Sequence, residues 1–256
     1  MATFYFATQG DNGWYQCKAP ADFNDSAVVN AANEDCYNVV TNRVSQFTND
    51  PDERVGATST DAWLTPVNEC EWGGVACWSA DTPQMYLCID QLELKGRIGL
   101  AGSLVDEVGS LNSLRYLILE GELAGSIPEE IYGLTNLVAL FLNDNELTGT
   151  ISTSIGNLQF LTDLMLLRNA FEGTIPTEIG LCEDLIVLGS AHFASNKLTG
   201  SMPAEVCAHR GVSLLYVNAD CEPQFTCSCC NWCSPSTVSV SEKKVMIHRH
   251  RDHTHE

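Results

Sequence analysis

The chain has 256 residues, of which 45% are hydrophobic, and its formal net charge is -20 because 13 Lys and Arg stand against 33 Asp and Glu. The composition is that of a globular protein of one or two domains. The acidic balance argues against a nucleic-acid partner, because cationic side chains make the contacts to phosphates. The sequence contains no stretch of about 18 apolar residues, the length that a membrane span needs. We therefore expect no membrane span in this chain.

Cysteines are distributed unevenly along the chain. They crowd the two ends and nearly avoid the middle, and they comprise Cys17, Cys36, Cys70, Cys77, Cys88, Cys182, Cys207, Cys221, Cys227, Cys229, Cys230 and Cys233. This even set of twelve predicts disulfide-stapled ends in an oxidising compartment. The start "MATFYFATQGDNGW" lacks the basic residues and the long apolar run of a signal peptide. We expect an extracellular or cell-surface protein whose leader is missing from this chain, or which is exported by another route.

The chain divides into four predicted segments. Residues 1–84 form an N-terminal cap with an inserted segment at 18–60, and residues 85–206 form five repeats. Residues 207–233 hold a last strand and a cysteine-rich C-terminal cap, and residues 234–256 form a disordered basic tail. The N-terminal segment contains one N-glycosylation sequon, at Asn24, which has meaning only if the chain is exported.

The five repeats align on a glycine. They are "GLAGSLVDEVGSL", "GELAGSIPEEIYGL", "NELTGTISTSIGNL", "AFEGTIPTEIGLC" and "KLTGSMPAEVCA", with glycines at 102, 125, 149, 173 and 200. Apolar residues two positions apart precede the first four glycines, at Leu92/Leu94, Leu117/Leu119, Leu140/Leu142 and Leu164/Leu166, and Val217/Ala219 is predicted as the last strand. Alternation by two places both side chains of a pair on one face of a strand. Stacking such strands predicts a parallel sheet in which each unit buries the apolar face of its neighbour.

Polar residues follow the strands at fixed positions. Asn145, Asn169 and Asn196 lie where the chain leaves the strand, where a buried amide can satisfy backbone groups of its own and adjacent coils. The second repeat is one residue short and lacks this asparagine. The fifth carries about three extra residues around His192, which predicts a bulge.

The pattern "L..L.L..N.L.G.IP..IG.L" resembles the plant-type leucine-rich repeat of receptor-like kinase ectodomains and polygalacturonase-inhibiting proteins. The stretch "WLTPVNECEWGGVAC" is similar to the N-terminal cap of that family, and this resemblance implies a Cys70–Cys77 pair. The ending "NADCEPQFTCSCCNWC" resembles the cysteine-rich C-terminal cap of diatom leucine-rich-repeat proteins. The resemblance implies an α/β fold: a right-handed solenoid with a short parallel sheet on its concave face and disulfide-stapled caps.

The concave face is the predicted functional surface. Between the buried leucines one side chain of each strand points outward, at Glu93, Ile118, Phe141, Met165 and Asn218. An exposed apolar stripe of this kind predicts a protein or peptide ligand, because monomers rarely leave such a patch in water. A further domain, a dimer mate or the N-terminal segment could instead cover it. The candidate ligand-binding residues are Tyr116, Ile118, Phe141, Met165, Leu167, Arg168 and Asp144. On this interpretation Phe141→Asp abolishes capture of the partner without lowering the melting temperature.

One hydroxyl residue follows each repeat glycine, at Ser103, Ser126, Thr150, Thr174 and Ser201. A regular hydroxyl ladder can order water and bind ice, which gives an alternative function. The simpler interpretation is that small hydroxyl residues suit a strand-like segment. The simpler one is favoured because the charged residues Glu172 and Lys197 interrupt the surface.

The ending "CSCCNWC" allows either disulfides or thiolate metal ligands. Disulfides are favoured in the compartment that the cysteine distribution indicates, with Cys207 and Cys221 among the partners of Cys227, Cys229, Cys230 and Cys233. The connectivity stays open. The tail holds His248, His250, His253 and His255, and a terminal arm is favoured over a metal site there.

No signature of catalysis is present in the sequence. There is no G-x-S-x-G, no P-loop, no H-E-x-x-H and no kinase motif, and His192 and His209 have no evident nucleophile nearby. We expect a non-catalytic recognition protein without cofactor or metal, of undetermined oligomeric state. The alternatives are an ice-binding or matrix-associated structural protein, and a fragment of a receptor-like kinase ectodomain.

Overall fold

The computed structural model describes residues 27, 75–78, 88–94, 100–208, 216–221 and 224–235. Sequence predictions about Asn24, the 18–60 insertion, the Cys70–Cys77 pair, His209 and the tail beyond residue 235 lie outside these residues. The described chain is a stack of coils, each with one short strand of a common sheet on one side.

The main sheet has eight strands in the order β1-β2-β4-β6-β8-β10-β13-β15. They are β1 (Val75–Trp78), β2 (Cys88–Leu94), β4 (Tyr116–Leu119), β6 (Ala139–Phe141), β8 (Asp163–Met165), β10 (Ser190–His192), β13 (Tyr216–Cys221) and β15 (Trp232–Pro235). Only the β1/β2 pair among them is antiparallel, and every later pair is parallel. The predicted α/β solenoid with a short parallel sheet is confirmed.

Shorter strands pair on a second side of each coil. They are β3 (Ala101–Ser103), β5 (Glu122–Gly125), β7 (Glu146–Leu147), β9 (Glu172–Gly173), β11 (Lys197–Leu198), β12 (Gly200–Ser201) and β14 (Phe225–Thr226). The outer turns are 3-10 helices at Asp106–Ser110, Glu129–Gly133, Thr153–Asn157 and Thr177–Leu181, and two short α-helices, α1 (Glu183–Leu188) and α2 (Ala204–Cys207), follow. Helical segments and strands therefore alternate around each coil.

The paired leucines of successive strands line one continuous core. Leu117, Leu140 and Leu164 lie in register on β4, β6 and β8 and are fully buried. From the outer turns, Ile131 and Ile155 reach the same core, so each coil covers the apolar face of the next. The two-residue alternation of the strands thus produces a single interior shared by all repeats.

The fifth repeat differs from its prediction. The extra residues do not form a bulge in the strand, because helix α1 takes them up before β10 begins. His192 consequently lies on β10, in register with Met165 on one side and Asn218 on the other. The sheet also continues beyond the strand of Val217, since β15 pairs with β13 in parallel.

Asparagine side chains connect neighbouring coils. Asn145 Nδ2 donates to the carbonyl oxygens of Leu119 (2.8 Å) and Leu142 (3.0 Å), and its Oδ1 accepts from the Leu123 amide (3.1 Å). In the next coils Asn169 and Asn196 repeat this arrangement. Each asparagine bonds the coil before it, so the second repeat receives these hydrogen bonds from Asn145 but has no asparagine of its own to bond the first repeat.

The hydroxyl column packs on the repeat glycines. Gly173 has φ +76°, and a Cβ atom placed on it would lie 3.1 Å from the Cγ2 atom of Thr150 in the preceding coil. Gly200 likewise has positive φ, and a Cβ atom placed on it would lie 3.1 Å from the Cγ2 atom of Thr174. In these later coils the residue that follows one repeat glycine therefore packs on the glycine of the next coil, whereas Gly125 has no such neighbour within 4 Å. Close packing on the next glycine therefore accounts for the two threonines of this column.

We expect Gly173→Ala to lower the free energy of unfolding by about 1 to 3 kcal/mol, since alanine is strained at positive φ and its Cβ would press on Thr150. Gly133→Ala is the matched control, because no atom lies within 4 Å of a Cβ there and its φ is not in the left-handed region. We expect the control to be neutral or slightly stabilising. Urea denaturation of both variants measures the difference, and equal midpoints would contradict the packing described.

Candidate functional site

One column of outward side chains crosses the centre of the concave face. Parallel pairing places them side by side on seven strands, and we call this set the central column: Glu93, Ile118, Phe141, Met165, His192, Asn218 and Trp232. The sequence prediction missed His192 and Trp232. The pair Ala191/Phe193 around His192 carries the same two-residue alternation as the leucines and could have located it.

The first half of the central column is less exposed than predicted. Ile118 and Phe141 are only 7% and 8% exposed, and with Ala139 they form a second hydrophobic cluster against which Tyr116 and Met165 pack. Leu167, also predicted to bind ligand, is buried. The expectation of an openly exposed apolar stripe is therefore wrong, because in-register neighbours on adjacent strands cover one another.

The two charged residues among the predicted ligand-binding residues, Asp144 and Arg168, pair with each other. Asp144 and Arg168 occupy equivalent turn positions of successive coils, both with positive φ. The Arg168 Nε and Nη2 atoms donate to the two carboxylate oxygens of Asp144, and both side chains are largely buried. A bidentate pair of this kind fixes the geometry of the turn. A direct contact of these two residues with a ligand stays a prediction.

The sheet face around the second half of the central column, including the neighbouring column of Asp163, Ser190 and Tyr216, is aromatic and polar. The His192 ring stacks on the Tyr216 ring with centroids 5.4 Å apart, and Tyr216 is exposed. The Asp163 carboxylate accepts from the hydroxyls of Ser190 (2.5 Å) and Thr162 (2.8 Å). This half therefore presents an aromatic platform beside an anchored carboxylate.

Burial lowers the pKa of His192 to about 4, and the nearby Asp163 carboxylate opposes this effect only in part. The imidazole is consequently neutral at pH 7. The neutral His192 ring stacks on Tyr216 without placing an unpaired charge there. Such a ring suits an apolar or hydrogen-bonding contact with a ligand better than an ionic contact.

This pKa predicts a pH dependence of stability. Between pH 6.5 and about 4 the unfolded chain binds a proton at His192 that the folded chain does not, so the free energy of unfolding falls as the pH falls. The loss is about 2 to 3 kcal/mol in total. Glutamine does not titrate, so we expect His192→Gln to lose less unfolding free energy than the wild type between pH 7 and pH 4. Urea unfolding of both proteins at the two pH values measures these losses. Parallel pH profiles of the two proteins would contradict the prediction.

The C-terminal cap contains three disulfides in the described part of the chain: Cys207–Cys229, Cys221–Cys233 and Cys227–Cys230. The adjacent Cys229 and Cys230 thus bridge to different partners, Cys207 and Cys227. Cys227 and Cys230 have the same C-x-x-C spacing as Cys230 and Cys233.

Cys182 is a buried free thiol. Burial raises its pKa to about 12, and its Sγ donates to the Ile155 carbonyl oxygen (3.2 Å). A thiol that is neutral and enclosed in the core is unreactive.

Helices in the described part of the chain are all too short to cross a membrane.

Comparison with protein-family models gives no match, and no curated protein matches the chain. Solved structures do match. The BIR2 ectodomain from Arabidopsis thaliana is 32% identical, with 53% of this chain and 68% of that chain covered and a TM-score of 0.46. This chain is a plant-type leucine-rich-repeat protein.

Two further structures are similar to this leucine-rich-repeat protein. A chain of the BIR3–SERK2 complex from Arabidopsis thaliana is 28% identical, with 75% of this chain and 97% of that chain covered and a TM-score of 0.49. A plant ice-binding protein is 24% identical, with 66% and 59% covered and a TM-score of 0.50, which indicates a common fold and nothing more. The likeness of the C-terminal cap to that of diatom proteins stays a prediction.

Proposed function

We propose that this leucine-rich-repeat protein is a non-catalytic, extracellular recognition module that binds a protein or peptide ligand on its concave face. The supporting observation is the central column, in which seven side chains stand in register across parallel strands. The proposal includes the four segments predicted from the sequence, with the binding face on the repeats at 85–206 and on the strands of the segment at 207–233.

The dimensions of the face suit a peptide. Strands of a sheet lie about 4.8 Å apart, so the six intervals of the central column span about 29 Å. An extended chain rises about 3.3 Å per residue and would cover this distance with about nine residues. A peptide or an extended segment of a protein therefore matches the column in length.

The exposure of the side chains divides their roles. Ile118 and Phe141 in the first half and Asn218 in the second form the floor of the face, since little of these three side chains reaches solvent. Tyr216 is exposed, and Met165 and Trp232 are partly so. Aromatic residues and methionine are enriched at the centre of protein interfaces, and single aromatic side chains often carry much of the binding energy. We infer that a ligand contacts the C-terminal half of the column most closely.

Affinity capture with matched variants tests the proposal. Wild-type protein, Tyr216→Ser and Phe160→Ser are used as baits for the secretome of the source organism. Phe160 is a suitable control because it is an exposed aromatic residue in an outer turn, away from the sheet. We expect a partner retained by wild type and Phe160→Ser and lost from Tyr216→Ser. Retention by all three baits, or loss from the control alone, would exclude the concave face.

An ice-binding role is the second candidate, and the exposure of all five hydroxyls after the repeat glycines favours it. Two observations weigh against it. Thr150 pairs directly with the charged Glu172, which breaks the column, and the glycine contacts already account for the threonines. A thermal-hysteresis measurement decides the matter, since the recognition proposal predicts no activity.

A further inference from the structure

Three cysteine sulfurs of the C-terminal cap lie unusually close together. The Sγ atoms of Cys221, Cys230 and Cys233 are all within 4.8 Å of one another, although they belong to two different disulfides. Cys230 is partly exposed and Cys233 is exposed. A thiolate released at Cys230 would therefore stand next to the intact Cys221–Cys233 disulfide.

The sequence makes Cys230 the common member of two C-x-x-C pairs. It bonds Cys227, three residues before it, and Cys233 lies three residues after it. The Cys227–Cys230 bridge demonstrates that this separation can be closed here, with Cα atoms 5.6 Å apart. The third disulfide, Cys207–Cys229, includes the buried Cys229 and holds the cap to helix α2 independently.

We propose that the cap is a thiol–disulfide exchange site in which Cys230 switches its partner from Cys227 to Cys233. An external dithiol attacks Cys227 through one thiolate, and the Cys227–Cys230 bond breaks to leave Cys230 as a thiolate. The second thiol of the reductant then resolves the mixed disulfide and leaves Cys227 as a thiol. The reductant becomes a disulfide and loses two electrons.

The second step is internal and consumes no electrons. The Cys230 thiolate attacks Cys233 Sγ, a Cys230–Cys233 bond forms, and the Cys221–Cys233 bond breaks. Cys221 leaves as a thiolate and takes a proton from solvent. The product has one new disulfide and two thiols, at Cys221 and Cys227.

Exchange changes the end of the concave face. In the starting state the Cys221–Cys233 bridge ties β13 to β15, the last two strands of the sheet. Trp232 of the central column is adjacent to Cys233 and pairs with Asn218 across these strands. After exchange no disulfide joins β15 to β13, and only hydrogen bonds and side-chain packing hold the two strands together. The site thus links an extracellular dithiol reductant to the aromatic end of the sheet, and this link does not depend on the identity of any ligand.

Two matched variants test the exchange without added reductant. Cys227→Ser and Cys230→Ser remove the same disulfide, but only the first leaves a thiol at Cys230. Free thiols are alkylated under native conditions, and the protein is then cut after aromatic residues. Cleavage after Phe225 and Trp232 places Cys221, Cys230 and Cys233 on three separate peptides. In Cys227→Ser we expect alkylated Cys221 and a Cys230–Cys233 linkage. In Cys230→Ser we expect Cys227 to be the one alkylated residue among these cap cysteines.

The wild-type protein provides an independent measurement. One equivalent of dithiothreitol should yield alkylated Cys221 and Cys227 with the peptide of Cys230 linked to that of Cys233. Recovery of alkylated Cys227 and Cys230 with Cys221 still linked to Cys233 would overturn the proposal. Unmodified Cys221 in the Cys227→Ser variant would overturn it equally, and so would resistance of the Cys227–Cys230 bond to the dithiol.

Discussion

Replacing Asn145 with alanine is expected to lower the free energy of unfolding by about 3 kcal/mol. The side chain is buried and connects two coils through Leu123, Leu119 and Leu142. Its loss would leave the buried Leu123 amide without this acceptor and would remove the donor to the carbonyl groups of Leu119, Leu142 and Asn143. An unsatisfied buried polar group costs about 1 to 3 kcal/mol. Urea denaturation monitored by circular dichroism measures the change.

Asn136→Ala is the matched control for this prediction. Asn136 makes an inter-coil hydrogen bond as well, to the Asn112 carbonyl oxygen (2.8 Å), but it does so at the exposed surface. Water can replace that bond, so we expect a loss of about 0.5 kcal/mol or less. Equal destabilisation by the two substitutions would show that burial of the asparagine has no special importance in this solenoid.

The second large effect is expected for Phe141→Asp. Phe141 is packed between Ile118 and Met165 and is only 8% exposed, so the variant loses an aromatic contact surface and places a carboxylate in an apolar cluster. We expect a loss of about 3 to 5 kcal/mol. This result differs from the sequence expectation of an unchanged melting temperature, and the reason is the burial of Phe141.

Phe160→Asp makes the same chemical change at an exposed position. Phe160 is 57% exposed in an outer turn, so the new carboxylate would remain in water. We expect its free energy of unfolding to stay within about 0.5 kcal/mol of the wild type. Thermal unfolding of the two variants gives the comparison. A Phe141→Asp protein as stable as the Phe160→Asp protein would contradict the cluster on the concave face.

The repeat region was predictable because its physical rule is local. Leucines two residues apart, followed by an asparagine and a glycine, specify a strand, a turn and a buried side in the coils that carry the full pattern. Leu117, Leu140 and Leu164 therefore lie where the sequence places them. Asn145 also does what the sequence predicts, since its buried amide satisfies backbone groups of the preceding coil.

Other features depend on contacts between coils, which one coil does not encode. The burial of Phe141 arises from its neighbours on the adjacent strands. His192 was missed because helix α1 lengthens the repeat and alanine replaces leucine beside it. The disulfide partners in the cap follow from the positions of β13 and β15 in space, so spacing alone left them open.

Hydroxyl-radical footprinting of the protein with its captured partner tests most directly whether the concave face is the binding surface. Labelling of Met165, Tyr216 and Trp232 should fall on complex formation, because these side chains reach solvent on the sheet. Labelling of Phe160 and Leu181 should not change, since both are exposed in the outer turns. Protection of Phe160 and Leu181 with unchanged labelling of Tyr216 and Trp232 would contradict the account.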